Sequence, residues 1–125
     1  MSINNIKVFG IKNCDKVKKA QNWLSEHEKV FEFIDYTKAT FDDKWYLDII
    51  DKIGLEEFVN KKSTTWRALD AINRENASSV EKVIPLLRMY PKLMKRPILC
   101  IYDDESLIKV AVGFNEISYL ELFNI

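Results

Sequence analysis

The sequence predicts an α/β fold: a mixed four-stranded sheet with flanking helices and a helical insert between a β-α-β unit and a β-β-α unit. Three observations predict it. An apolar strand pattern stops at Gly10, gives way to helical spacing, and is followed by a second, alternating strand. Residues 42–94 then carry their apolar side chains at helical spacing. Last, Pro97 opens a β-branched and apolar run that turns back through Asp103, Asp104 and Glu105 and leads into a capped helix.

In chain order, residues 6–9 are the first strand and about 15–27 the first helix, with Val17, Ala20, Trp23 and Leu24 inward and Lys16, Lys19 and Gln21 toward solvent. Residues 31–36 alternate, with Phe31, Phe33 and Asp35 on one side and Glu32, Ile34 and Tyr36 on the other. A strand-helix-strand unit of this length implies a right-handed crossover and parallel pairing. Asp42 and Asp43 can cap a helix bearing Trp45, Tyr46, Ile49, Ile50 and Ile53, which Gly54 ends. Leu55, Phe58 and Val59 make a short apolar turn, residues 60–65 a polar loop, and residues 66–72 a further helical stretch. Ser78 with Glu81 reads as a capping box for a helix through Val80, Val83, Ile84 and Leu87, where Pro85 predicts a kink or a late start. Residues 97–102 and 107–112 form a β-hairpin, Gly113 ends it, and Asn115 caps a final helix with Ile117, Leu120 and Phe123.

This order is the layout of the thioredoxin fold. By that analogy the first helix starts at a redox cysteine, the proline that opens the third strand is cis and lies beside it, and Arg96 arrives next to Cys14.

Composition fits one domain over residues 1–125, with 47% hydrophobic and 30% charged residues and no biased tract or repeat. The 19 basic and 19 acidic residues cancel. No global field recruits nucleic acid or a membrane surface, so neither is an expected partner. The longest apolar stretches, such as 97–102, fall far short of the roughly 20 residues that span a bilayer. Two cysteines make no disulfide framework, and no basic region precedes an apolar stretch long enough for a secretory signal. The cytosol is therefore the expected compartment, and a monomer the expected state.

Chemistry concentrates in residues 10–20, GIKNCDKVKKA. Cys14 falls at the first turn of a helix, where unpaired backbone N–H groups and the positive end of the macrodipole favour thiolate over thiol. Lys12, Lys16, Lys18 and Lys19 surround it, opposed only by Asp15. A cysteine between Asn13 and Asp15 in a lysine-rich loop is badly placed to be core. Cys100, inside PILCIY, is read as inert core. The single histidine, His27, is read as a solvated helix-end residue, and Trp23, Trp45 and Trp66 as core. One histidine and two distant cysteines give no metal set of recognised spacing. The run from 82 to 96 holds Lys82, Arg88, Lys92, Lys95 and Arg96 with no acid, a solvated face whose end adds positive potential at Cys14.

With GIKNCDKVKKA, NKKSTTWRAL, YPKLMKRPIL and VGFNE in order, the chain resembles the arsenate reductase-like family of the thioredoxin superfamily, closest to its YffB-type branch, with Spx-type regulators as near relatives. Family arsenate reductases use one cysteine as nucleophile, three arginines to hold the oxyanion, and electrons from glutathione and glutaredoxin. The resemblance assigns the nucleophile to Cys14 and one arginine to Arg96. The other two positions fall on Asn60 and near Gly113, and neither an amide nor a glycine grips a tetrahedral anion as a guanidinium does. Spx-type regulators carry a CxxC pair and bind RNA polymerase, but the fourth position of that motif is Val17 here.

The resemblance thus implies a single-cysteine thiol oxidoreductase with no bound cofactor and glutathione as co-substrate, forming a mixed disulfide at Cys14 with Arg96 as its cation. Lys12, Asn13, Asn60, Lys61, Thr65 and Pro97 are the expected contacts for glutathione or another small thiol or disulfide substrate. The alternative is a non-enzymatic Spx-like regulator whose helical insert binds a protein partner such as RNA polymerase. Arsenate reduction is expected to be negligible.

Overall fold

The computed structural model describes residues 4–125, which divide into two compact units: residues 4–39 with Arg96–Ile125, and Thr40–Lys95.

The first unit is built on a four-stranded sheet of order β2-β1-β3-β4, from β1 (Asn4–Gly10), β2 (Glu32–Asp35), β3 (Ile98–Asp103) and β4 (Ser106–Val112). β1 runs parallel to β2 and antiparallel to β3, and β3 runs antiparallel to β4. The mixed sheet is therefore the one the residue pattern implies. Helix α1 (Asp15–Glu26) crosses from β1 to β2, and α7 (Glu116–Leu122) follows β4. Ile6, Val8, Leu99 and Ile101 share one sheet face, where they pack with Ala20, Trp23 and Leu24 of α1 and Tyr119 of α7. Burying a Leu or Val side chain is worth about 1.5–3 kcal/mol, so this layer holds both helices to the sheet.

Two glycines set the backbone where it matters for the site. A Cβ on Gly10 would lie 2.8 Å from Val17 Cγ2, so only glycine lets the end of β1 pass this close to α1. Gly113 ends β4 at φ 76°, a conformation that side chains resist; its N–H donates to the Pro97 carbonyl at 2.8 Å, and its own carbonyl accepts the Tyr119 hydroxyl at 3.0 Å.

The second unit is helical: α2 (Asp43–Ile53), α3 (Leu55–Phe58), α4 (Thr64–Arg67), α5 (Ala71–Asn76), α6 (Val80–Met89) and one 3₁₀ turn (Pro91–Leu93). Asp42 caps α2 by accepting the Trp45 N–H, and Gly54 ends it at φ 80°. An isolated bridge pairs Val59 with Met94.

Several local expectations are corrected. The cap of α6 is Ser79, which accepts the Lys82 N–H, and not Ser78; the buried Val83, Ile84, Leu86 and Leu87 set the phase of this helix and shift its start by one residue. Pro85 does not delay that start, since α6 begins at Val80 and carries the proline inside it. The stretch 66–72 is two short helices, because Asp70 caps α5 afresh through the Asn73 N–H. His27 is half-buried, not solvated: its ring stacks on Trp23 at 3.9 Å, with Nδ1 2.8 Å from the Trp23 carbonyl oxygen. Of the three tryptophans only Trp23 is buried, while Trp45 and Trp66 are half-buried. The return strand of the hairpin begins one residue early, at Ser106, because Asp104 alone takes the positive φ that tightens the turn.

Candidate functional site

Strand directions explain why the chemistry gathers at one end of the sheet. The C-terminal ends of β1 and β2 lie together because these strands are parallel, and β3, being antiparallel, starts beside them, with Phe9 opposite Ile98. The loop to Cys14, the residue after β2 and the residues before β3 therefore converge.

Cys14 is the N-cap residue of α1, with extended backbone (φ −131°, ψ 125°), and its carbonyl accepts the Lys18 N–H at 3.0 Å. Helices α2, α4, α5, α6 and α7 each begin at an Asp, Ser or Asn whose side chain accepts a backbone N–H of the first turn. Cys14 holds the same position and makes no such bond. A side-chain cap is typically worth about 1 kcal/mol, so α1 gives up that contribution and presents a sulfur to the positive end of a 12-residue helix. The residue is half-buried, between core and solvent.

Arg96 meets that sulfur. Its half-buried guanidinium interacts electrostatically with the Cys14 side chain and donates through Nη1 to the Tyr36 hydroxyl at 3.2 Å. Burial alone would lower the guanidinium's proton affinity, but the hydrogen bond to Tyr36, and the charge that Tyr36 and Cys14 carry when they ionise, outweigh it and raise it further. The Arg96–Pro97 bond is cis and Pro97 is buried, as the fold analogy implies. Lys12 and Asn13 are exposed in the loop before the helix. Asp35, at the end of β2, is held below the usual carboxylate range, first by the Thr37 hydroxyl at 2.6 Å and then, against a smaller opposing effect of burial, by the Thr37 N–H, Lys38 and Lys12. Part of the charge of Lys12 thus falls on Asp35. Asp15, the acid beside the cysteine, has Lys19 at 3.8 Å on the exposed helix face.

Cys14, Arg96, Pro97, Lys12 and Asn13 belong to the first unit; Asn60, Lys61 and Thr65 belong to the second, where each has local work. Asn60 Oδ1 accepts the Lys62 N–H at 3.1 Å, its N–H donates to the Leu93 carbonyl at 2.7 Å, and its carbonyl accepts the Ser63 hydroxyl at 2.9 Å. Lys61 lies 5.6 Å from the Trp66 ring centroid, and Thr65 is a half-buried residue of α4. Residue reading missed Tyr36, treated there only as a strand residue. It is 1% exposed, and its backbone N–H donates to the Gly10 carbonyl at 3.0 Å.

Cys100 is fully buried on β3, in register with Lys7, and burial pushes its thiol up to about 12. Val17, at the position of a second motif cysteine, is fully buried against Gly10. Among the described residues no group of three or more His, Cys, Asp or Glu side chains could hold a metal ion, and no helix is long and apolar enough to cross a membrane.

Comparison with known proteins places relatives around this geometry. The ArsC family model matches residues 9–122. A protein of Haemophilus influenzae is 39% identical over 118 residues, covering 94% of this chain and 98% of that one. The global transcriptional regulator Spx of Streptococcus mutans is 28% identical over 113 residues, covering 89% of this chain and 77% of its own. Among solved structures, a YffB protein superposes with a TM-score of 0.81 at 31% identity, covering 94% of this chain and 97% of that one.

Proposed function

Because the chain belongs to the ArsC family, we propose that it is a cytosolic thiol oxidoreductase working through one cysteine, Cys14, with glutathione as co-substrate. The contact of Arg96 with the Cys14 sulfur, at the N-terminus of α1, carries this reading. A thiolate there attacks the glutathione sulfur of a mixed disulfide; the S–S electron pair leaves with the substrate sulfur, and a Cys14–glutathione disulfide forms. A second glutathione thiolate attacks that adduct on the glutathione sulfur, giving oxidised glutathione and returning the Cys14 thiolate. Overall the second glutathione thiol is oxidised and the substrate sulfur is reduced, while the first glutathione sulfur stays in a disulfide throughout. Arg96 offsets charge on the attacking and departing sulfur, and Lys12, Asn13, Asn60, Lys61, Thr65 and Pro97 are the proposed substrate contacts. Incubation with oxidised glutathione followed by intact mass measurement tests the first step. One adduct lost in Cys14→Ser is expected; its absence from the unmodified protein would end this reading.

The likeness to Spx favours a second reading, a regulator that binds a protein partner such as RNA polymerase through residues 40–95. Capture of RNA polymerase unaffected by Cys14→Ser, with no glutathione turnover, would support it over the first.

A further inference from the structure

Of the three groups that meet at the site, Tyr36 is the one that motif reading leaves without work. Its backbone N–H donates to the Gly10 carbonyl, four residues before Cys14, and its hydroxyl oxygen accepts from Arg96 Nη1, one residue before Pro97. One residue thereby ties the segment that launches the nucleophile, through its backbone, to the segment that carries its cation, through its buried side chain. An unrestrained arginine has many rotamers, and a guanidinium is a rigid plane: fixing one Nη against an immobile oxygen sets the direction of the remaining donors.

The chemical nature of the partner matters as much as its position. Arg88, in the second unit, is held by the Asp43 carboxylate at 2.6 Å, which cancels its charge while orienting it. Arg96 is held by a phenol. Burial keeps that phenol protonated, raising its pKa against the opposing pull of Arg96, so the hydroxyl orients the guanidinium without neutralising it. The phenol therefore takes none of that positive charge away from the sulfur or from an anionic reactant.

We propose that Tyr36 is a positioning residue that holds Arg96 against Cys14, and so gives the site its preference for anionic over neutral reactants. The inference rests on Cys14 being the reacting group, as in the thiol-exchange reading, but not on glutathione being the co-substrate.

The test compares alkylation of Cys14 by iodoacetate, an anion, and by iodoacetamide, its neutral analogue, in the unmodified protein, Tyr36→Phe, Arg96→Ala and the double variant. Tyr36→Phe should lower the iodoacetate-to-iodoacetamide rate ratio by about three- to tenfold, the worth of one hydrogen bond. In the Arg96→Ala background it should lower the ratio no further, because the group it positions is gone. A purely structural tyrosine would slow both reagents alike, so an unchanged ratio in folded Tyr36→Phe, or an equal fall in both backgrounds, overturns the proposal. Should Tyr36→Phe fail to fold, 3-fluorotyrosine at position 36 keeps ring and hydroxyl but weakens the oxygen as an acceptor: a reduced ratio supports the proposal and an unchanged one overturns it. Failure of the unmodified protein to form a glutathione adduct would sink the exchange reading while leaving these ratios to be judged on their own.

Discussion

Gly10 meets Val17 with no room for a side chain of its own: a Cβ on Gly10 would stand 2.8 Å from Val17 Cγ2, and Val17 is fully buried on the helix that Cys14 caps. Gly10→Ala should therefore push α1 outward at its first turns. The expected cost is about 1–3 kcal/mol in urea unfolding, together with slower modification of Cys14. Val17→Ala should itself destabilise by opening a cavity, yet the pair should cost less than the two single changes together. Simple additivity would show that the contact does not position the helix.

The contact also bears on partner cysteines. Val17→Cys would recreate a CxxC spacing, but at a side chain directed into the core. Under mild oxidation, mass mapping of the Val17→Cys protein should therefore find little disulfide between Cys14 and the introduced thiol. Ready formation of that bridge would mean the first turn of α1 opens easily.

Much of this was legible in the residues because the signals are local. Gly10, the 3.6-residue spacing of Val17, Ala20, Trp23 and Leu24, and the alternation through Tyr36 specify the β-α-β unit within about thirty positions. Asp42, Gly54 and Asn115 announce helix ends through their own backbone and side-chain chemistry. Adjacent Ser78 and Ser79 offer equivalent hydroxyls, by contrast, and only the phase of the buried face selects Ser79. The hydroxyl of Tyr36 meets Arg96 sixty positions away, so no local pattern distinguishes it from a core aromatic. Asn60 reads as a substrate contact in a polar loop, whereas its side-chain oxygen accepts the Lys62 N–H and its backbone N–H and carbonyl are bonded to Leu93 and Ser63.

Arg96→Ala tests the site's cation directly. A hydrogen bond to a charged group is worth about 1.5–3 kcal/mol, and each 1.36 kcal/mol is about tenfold in rate. Glutathionylation of Cys14 at neutral pH should fall about tenfold or more, with the circular dichroism spectrum unchanged. Arg96→Lys should recover only part of it, since an ammonium cannot bond the Tyr36 oxygen and the sulfur in the same fixed plane. Equal rates in folded Arg96→Ala would remove Arg96 from the chemistry.

Cys100 should behave oppositely to Cys14. Burial moves its thiol from an ordinary 9.0 up to about 12, so the folded protein holds that proton more tightly than the unfolded chain. Stability from this difference is complete below pH 9 and is lost as pH rises toward 12. Native protein at neutral pH should alkylate at Cys14 alone. Cys100→Ala, destabilised at every pH by its cavity, should show a shallower alkaline loss of unfolding free energy, and parallel curves for the two proteins would refute the assignment.

The last prediction concerns arsenate, where family membership and residues pull apart. A tetrahedral oxyanion is gripped by charge-assisted, bidentate bonds, and the family pattern supplies them from three arginines. Only Arg96 is present here. Asn60 carries an amide whose oxygen is already bonded to the Lys62 N–H, and Gly113 sits at φ 76°, where a long side chain would also strain the backbone. Two missing clamps at about 1.5–3 kcal/mol each lower transition-state binding enough to slow turnover on the order of a thousandfold. Thiol-disulfide exchange asks for less: an accessible thiolate, a nearby cation, and a leaving sulfur of suitable acidity. Purified protein supplied with glutathione and glutaredoxin should therefore form a Cys14 adduct with oxidised glutathione while leaving arsenate essentially unreduced. Arsenate turnover matching that of a three-arginine family member, abolished by Cys14→Ser, would show that Arg96 and the helix N-terminus suffice to bind the oxyanion.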